Sequence, residues 1–232
     1  MRGTTIMKKT ILILYIFFPS LLSAQFDDKE LYGYTRINLD IGMRDFKYTS
    51  NIDGHMKDAP IVSTLKLSSG ITTEIGVGFM MLSHFFVEGN VSYTLSQKKV
   101  YHSNNTDYYL DRYTFNRVNI GVNGVYFIDI DNYTTIYGNA GFRAILPQSL
   151  EVTTSHNVEK IRYRAAMGFT TGFGGNYNNN NFIYGVGLHF QMANLKVVPN
   201  QDLPSDFEAL NPGFNKLKLR SMVLSFTVKY LF

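Results

Sequence analysis

A length of 232 residues fits one domain, and the formal charge of +4 comes with no cysteine and no tryptophan. The missing cysteine excludes disulfides, thiolate metal sites, a cysteine nucleophile and an acylated N-terminal cysteine. Charged residues are only 17% of the chain and aromatics 15%, and no basic cluster argues for nucleic acid as a partner.

The first 24 residues read as a secretory signal peptide. Arg2, Lys8 and Lys9 supply positive charge, Thr10 to Phe18 form a short apolar run, and the segment ends in small residues with cleavage expected after Ala24. The apolar run is too short for a membrane anchor. Removing it takes away three positive charges, so the mature chain carries +1 (4 − 3).

From residue 25 onward the pattern has period two, the signature of strands with one apolar and one polar face. Eight segments are predicted, at about 32–48, 63–80, 85–97, 113–127, 133–146, 161–174, 182–192 and 216–232. In the first, Ile37, Leu39, Ile41 and Met43 alternate with Arg36, Asn38, Asp40 and Arg44. In the second, Leu65, Leu67, Ile71, Ile75, Val77 and Phe79 oppose Glu74 and several glycines. The sixth sets Ile161, Tyr163, Ala165 and Met167 against Arg162 and Arg164. In the eighth the phase slips near Arg220 and Ser221, which points to a bulge or a change of environment.

Connections alternate between long (49–62, 98–112, 147–160, 193–215) and short (82–84, 129–132, 175–181). In an up-and-down meander the long loops therefore share one rim and the short turns the other. The fold expected is all-β: an eight-stranded antiparallel up-and-down transmembrane β-barrel over residues 25–232. Closure removes the edges that an open sheet would expose. It is also the only way strands can span a bilayer, where every backbone polar group needs a partner.

Apolar residues are expected to face lipid and polar ones the axis. That places Arg36, Asp40, Arg44, Glu74, Glu88, Arg117, Arg143, Arg162, Arg164 and Lys229 in an interior charge network, with glycines between them in a lumen only wide enough for side chains. Aromatics near segment ends, including Tyr32, Tyr34, Tyr113, Tyr126, Phe127, Tyr133, Phe182 and Tyr230, are expected to form interfacial girdles. A lipocalin-type barrel with the apolar face inside is the soluble alternative.

On this pattern the chain resembles the small eight-stranded outer-membrane β-barrels of Gram-negative bacteria, of OmpX and OmpA-transmembrane-domain type. In texture it is similar to the outer-membrane β-barrel proteins of Bacteroidota. Phe226, Val228, Tyr230 and Phe232 match that family's C-terminal assembly signal, an aromatic end preceded by alternating apolar residues. The resemblance implies outer-membrane location. It also implies contact with outer-membrane lipid and lipopolysaccharide, and handling by the barrel-assembly machinery during insertion.

Catalysis has weak candidates. His102 beside Ser103, and Ser155 beside His156, lie in predicted loops, but adjacent residues on a strand point to opposite faces. His84 reads as a turn residue and His189 as an interior hydrogen-bonding group. "DIDN" (Asp129 to Asn132) is too short for a calcium loop and reads as a tight turn. No cofactor or metal is expected. The function expected is non-enzymatic: a structural or interaction barrel, or an accessory subunit of a larger outer-membrane complex. A narrow anion-permeable channel and a lipid-A-modifying enzyme are the alternatives.

Overall fold

In the computed structural model, which describes residues 31–43, 46–50, 61–103, 108–153, 158–199 and 216–232, eight strands close into a barrel. For 46–50, 61–65, 98–103, 108–111 and 158–159 the description is of the backbone alone. Residues 1–24, read above as a signal peptide, and Arg44 lie outside the described residues.

Among the described residues fourteen strands follow one another: β1 (Leu31–Gly42), β2 (Phe46–Ser50), β3 (Ile61–Leu65), β4 (Gly70–Leu82), β5 (Phe85–Leu95), β6 (Gln97–Ser103), β7 (Tyr108–Thr114), β8 (Arg117–Asp129), β9 (Thr134–Pro147), β10 (Leu150–Thr153), β11 (Val158–Ile161), β12 (Ala166–Asn179), β13 (Phe182–Lys196) and β14 (Lys216–Leu231). The barrel order is β1-β14-β13-β12-β9-β8-β5-β4. The first and last strands close it, with partners running from Tyr32↔Leu231 to Gly42↔Ser221. Barrel strands of 11 to 16 residues exceed the roughly 9–11 needed to cross a bilayer at a tilt.

The predicted inside-out arrangement holds along the membrane-spanning length. Ile37, Ile75, Val122, Phe142, Phe173, Val186 and Phe226 point outward and are more than half exposed. Their neighbours Arg36, Glu74, Asn123, Arg143, Ser225 and Thr227 are buried inside. A soluble lipocalin-type barrel would need the reverse. An apolar belt shared by all eight strands is far larger than the patches soluble monomers expose. The chain is thus a membrane-spanning β-barrel.

Two of the three short turns are tighter than expected. β4 and β5 are joined through Ser83 and His84, and β12 and β13 through Asn180 and Asn181. His84 (φ 67°) and Asn180 (φ 54°) take the left-handed conformation that lets so short a turn close. The predicted loop 175–181 is therefore mostly strand.

The long connections are not simple loops. β6–β7 and β10–β11 are hairpins that pair with each other through β7 and β10, giving a four-stranded sheet in the order β11-β10-β7-β6. β2 and β3 form a third hairpin. The tertiary pairing of β7 with β10 joins residues far apart in sequence, which local periodicity cannot reveal.

Candidate functional site: a charged lumen beneath an apolar cap

β1 sends every second residue to the axis, so Tyr32, Tyr34, Arg36, Asn38 and Asp40 line one internal column. Glu74 lies directly across from Arg36 on β4, and Glu88 follows on β5. Arg36 Nη1 donates to Glu74 Oε1 at 2.8 Å, and Nη2 reaches Glu88 Oε2 at 3.5 Å. Arg143 Nη2 donates to the other Glu74 oxygen at 2.9 Å. Lys229 Nζ lies 3.3 Å from Glu88 Oε1. A chain of alternating charge, Arg143–Glu74–Arg36–Glu88–Lys229, therefore crosses the lumen. Each member is at most 7% exposed. Buried carboxylates and cations persist where partners and hydrogen bonds offset lost hydration.

Higher up, Arg117 Nη2 lies 3.8 Å from Asp40 Oδ2, which also accepts from Thr72 Oγ1 at 2.7 Å. Arg117 Nη1 donates to the Leu67 carbonyl at 3.1 Å, and its guanidinium sits 5.5 Å from the centre of the Phe115 ring.

Two tyrosines expected in an interfacial girdle are part of this network instead. Tyr32 OH donates to Glu88 at 2.7 Å and Tyr34 OH to Glu74 at 3.0 Å. Their cross-strand partners are Gly78 and Gly76, whose missing side chains leave room for the rings. Lys229 Nζ lies 4.5 Å from the centre of the Tyr32 ring and 4.7 Å from that of Phe127. The alternation marked these positions as inward, but residue type pulled the expectation outward. Tyr113 is buried under the cap rather than at a membrane interface. The outer girdle at the short-turn rim comes from Tyr126, Tyr133, Tyr177, Phe182, Tyr184 and Tyr230, with Tyr133 and Tyr177 stacked at 6.3 Å.

Arg162 and Arg164 do not belong to the interior network. Both are exposed, while Ile161 and Tyr163 between and beside them are buried. The reason is a change of interior chemistry along the axis. Above the charged layer the inward residues become apolar: Leu67, Tyr113, Phe115, Leu150, Val152, Ile161, Tyr163, Ala193, Leu195, Leu217 and Leu219 form one buried cluster. The same change explains β14. Its pairing with β13 runs without a slip from Lys196↔Lys216 to Phe182↔Tyr230, so Leu217 and Leu219 face inward just as Ser221 and Ser225 do. The apparent phase slip was a change of environment, not a bulge. Leu67 likewise moves from the expected lipid face into the cap.

Among the described residues four buried cations, Arg36, Arg117, Arg143 and Lys229, meet three buried carboxylates, Asp40, Glu74 and Glu88. The expected cationic excess shrinks accordingly. Between network and cap there is a cavity of about 20 Å³ bordered by Arg117, Arg143, Gln191 and Ser221. That is room for one water.

His189 faces inward as expected. Its Nε2 lies 2.9 Å from Ser225 Oγ and its Nδ1 3.3 Å from Asn139 Oδ1, so its partners are neutral groups. His84 Nε2 lies 3.2 Å from Asp129 Oδ2 and ties two short turns together. In the "DIDN" turn, Asp131 Oδ1 accepts from the Tyr133 and Thr134 backbone N–H groups, each at 2.8 Å. These donors, Tyr133 first, hold its carboxyl below the ordinary range. The side chains of His102 and Ser103, and the residues Ser155 and His156, lie outside what is described. Among the described residues no group of three or more potential metal ligands is present. Phe226, Val228, Tyr230 and Phe232 all lie on the exposed outer side at the end of the chain.

No protein-family model matches the chain, and no curated protein matches it. Among solved structures it is similar to Neisserial surface protein A, with 15% identity over 87% of this chain and 97% of that one and a TM-score of 0.49. It is also similar to Ail, the attachment invasion locus protein of Yersinia pestis, at 12% identity over 89% and 100% with a TM-score of 0.45. A third is the N-terminal β-barrel domain of Pseudomonas aeruginosa OprF, at 10% identity over 89% and 100% with a TM-score of 0.43.

Proposed function

We propose that this protein is a non-enzymatic, non-conducting barrel of the bacterial outer membrane that presents its long-loop sheet outward as an interaction surface, alone or as a subunit of a larger complex. The observation that carries this reading is the apolar cap. A buried cluster of tyrosine, phenylalanine and aliphatic side chains lies over a charge-paired lumen, with a four-stranded sheet above it. A channel gains nothing from burying apolar side chains across its mouth, whereas a platform gains a rigid base for its hairpins. The near balance of buried charge weighs against an anion pathway.

Export would depend on the segment before Ala24. Insertion would depend on the barrel-assembly machinery recognising Phe226, Val228, Tyr230 and Phe232, a role by resemblance. Two measurements test the reading. Purified mature protein in planar bilayers is expected to give no unitary conductance. Affinity capture of a tagged copy from detergent-solubilised outer membranes is expected to retain a stoichiometric protein partner or intact lipopolysaccharide. Reproducible anion-selective conductance would overturn the non-conducting barrel, and altered lipid A in a deletion strain would overturn the non-enzymatic assignment.

A further inference from the structure

β14 places Lys216, Lys218 and Arg220 at alternate positions, so all three share its outer side. Lys196 on β13 is the direct partner of Lys216. On the other side of Lys196, the Arg164 N–H donates to the Lys196 carbonyl at 2.8 Å, beside the Tyr163↔Val197 bridge. Arg164, in the segment between β11 and β12, therefore stands in one row with Lys196 on β13 and Lys216 on β14, and all three are exposed. Among the described residues none of these five cations is held in an ion pair, whereas nearby Lys160 is, 2.9 Å from Glu151.

Like charges opposite each other on a sheet destabilise it. An anion in front of a row of three relieves that repulsion. The position says which kind. Directly below on the same outer side the strands become apolar: Met192 is the partner of Arg220, and Met167, Phe169, Met222 and Leu224 follow. Anionic groups above and hydrocarbon below, on one continuous wall, describe an amphipathic anionic lipid standing against the barrel.

We propose that the Arg164–Lys196–Lys216 row, extended toward the membrane by Lys218 and Arg220, binds the phosphate groups of a phosphorylated glycolipid in the outer leaflet. This rests on the outer-membrane reading, with the long-loop end outward. It adds a defined site and a ligand chemistry. Arginine offers a bidentate fork to phosphate and the lysines supply point charges, each worth about a factor of several in affinity near an anionic surface.

The test uses the folded mature chain in phosphatidylcholine nanodiscs containing either diphosphoryl lipid A or the same lipid without phosphates, with bound lipid counted by native mass spectrometry. Selective retention of the diphosphoryl form is expected. The triple variant Arg164→Gln, Lys196→Gln, Lys216→Gln is expected to lose at least about tenfold in apparent affinity. Lys160→Gln is expected to bind as the parent does. Heat-modifiable gel migration reports that each variant remains a folded barrel, and the single variant Lys216→Gln provides a milder reading if the triple does not fold. Equal retention of both lipids, or unchanged binding by the folded variants, overturns the proposal. So does a soluble sulfated oligosaccharide that binds the row while lipid A does not. Failure of the outer-membrane reading shows separately, as absence of the protein from isolated outer membranes.

Discussion

Arg36 and Glu74 are cross-strand partners on β1 and β4, and their side chains meet inside the barrel at 2.8 Å. Glu74 is at once the partner of Arg36, Arg143 and Tyr34. One carboxylate thus ties together β1, β4 and β9, and the near balance of buried charge depends on it.

Glu74→Ala leaves two buried guanidinium groups without their shared anion. Breaking a buried pair from one side costs about 3–5 kcal/mol, and a shared partner places this variant at the upper end. Urea titration of the barrel in lipid vesicles, followed by heat-modifiable gel migration, is expected to show that loss. Glu74→Gln, which keeps the volume and one acceptor, is expected to lose less. Parental stability in both variants would show that the network is decorative.

Val122 and Asn123 are neighbours on β8, one outward and 57% exposed, the other inward and fully buried. Val122→Arg puts a charge against hydrocarbon near mid-span and is expected to cost about 2–4 kcal/mol in vesicles. The same change at Met43, 62% exposed at the rim near Arg220, is expected to cost under about 1 kcal/mol. Similar costs at the two sites would mean the outer wall does not face lipid.

Phe115 and Leu150 are fully buried in the cap. Phe115→Ala removes a ring that packs edge-on against Tyr163 at 5.6 Å and is expected to cost about 3–5 kcal/mol of local stability. The loss belongs to the cap rather than the barrel. Limited proteolysis should cut the β6–β7 and β10–β11 hairpins faster while gel migration of the barrel core stays unchanged. A variant with parental proteolysis would show that the hairpins hold together without this core.

Gly78 has its Cα opposite Tyr32, and a Cβ there would run into the Tyr32 ring. Gly78→Ala is expected to displace the ring and weaken the Tyr32–Glu88 hydrogen bond, costing about 1–3 kcal/mol. Gly138 faces outward with open space around its Cβ position, so Gly138→Ala is expected to be neutral or slightly stabilising. Equal effects at both glycines would contradict the inward seat assigned to Tyr32.

Asp131 is fully solvent-accessible, yet its carboxylate is favoured by the Tyr133 and Thr134 N–H donors. Its folded pKa lies below the unfolded value, so the turn's contribution is complete above the unfolded carboxylate pKa and fades as pH falls through the folded one. NMR titration is expected to place its midpoint below that of a peptide spanning residues 129–134. Asp131→Asn should loosen the β8–β9 turn at neutral pH more than at low pH. A midpoint equal to the peptide's would remove the capping role.

Much of the wall was readable from period two alone. Arg36, Asp40, Glu74, Glu88, Arg117, Arg143 and Lys229 were placed inward and are inward. The misreadings share one cause. Alternation states that two faces differ without naming the environment of each. Tyr32 and Tyr34 had the correct phase but a residue type common at membrane interfaces. Leu67, Ile161 and Tyr163 were apolar and so were assigned to lipid, although a second apolar environment exists beneath the cap. Arg162 and Arg164 were carried inward by the same error.

By itself the sequence determined the number of barrel strands, the inside-out distribution of polarity and the grouping of long connections at one rim, because each depends on neighbours one or two residues apart. Only tertiary structure decided that two distant hairpins pair through β7 and β10, that the barrel mouth is filled by an apolar cluster, and that Glu74 and Glu88 each serve several partners. Those features come from residues on different strands meeting across the axis. No local pattern encodes that meeting, since it exists only once the wall has closed.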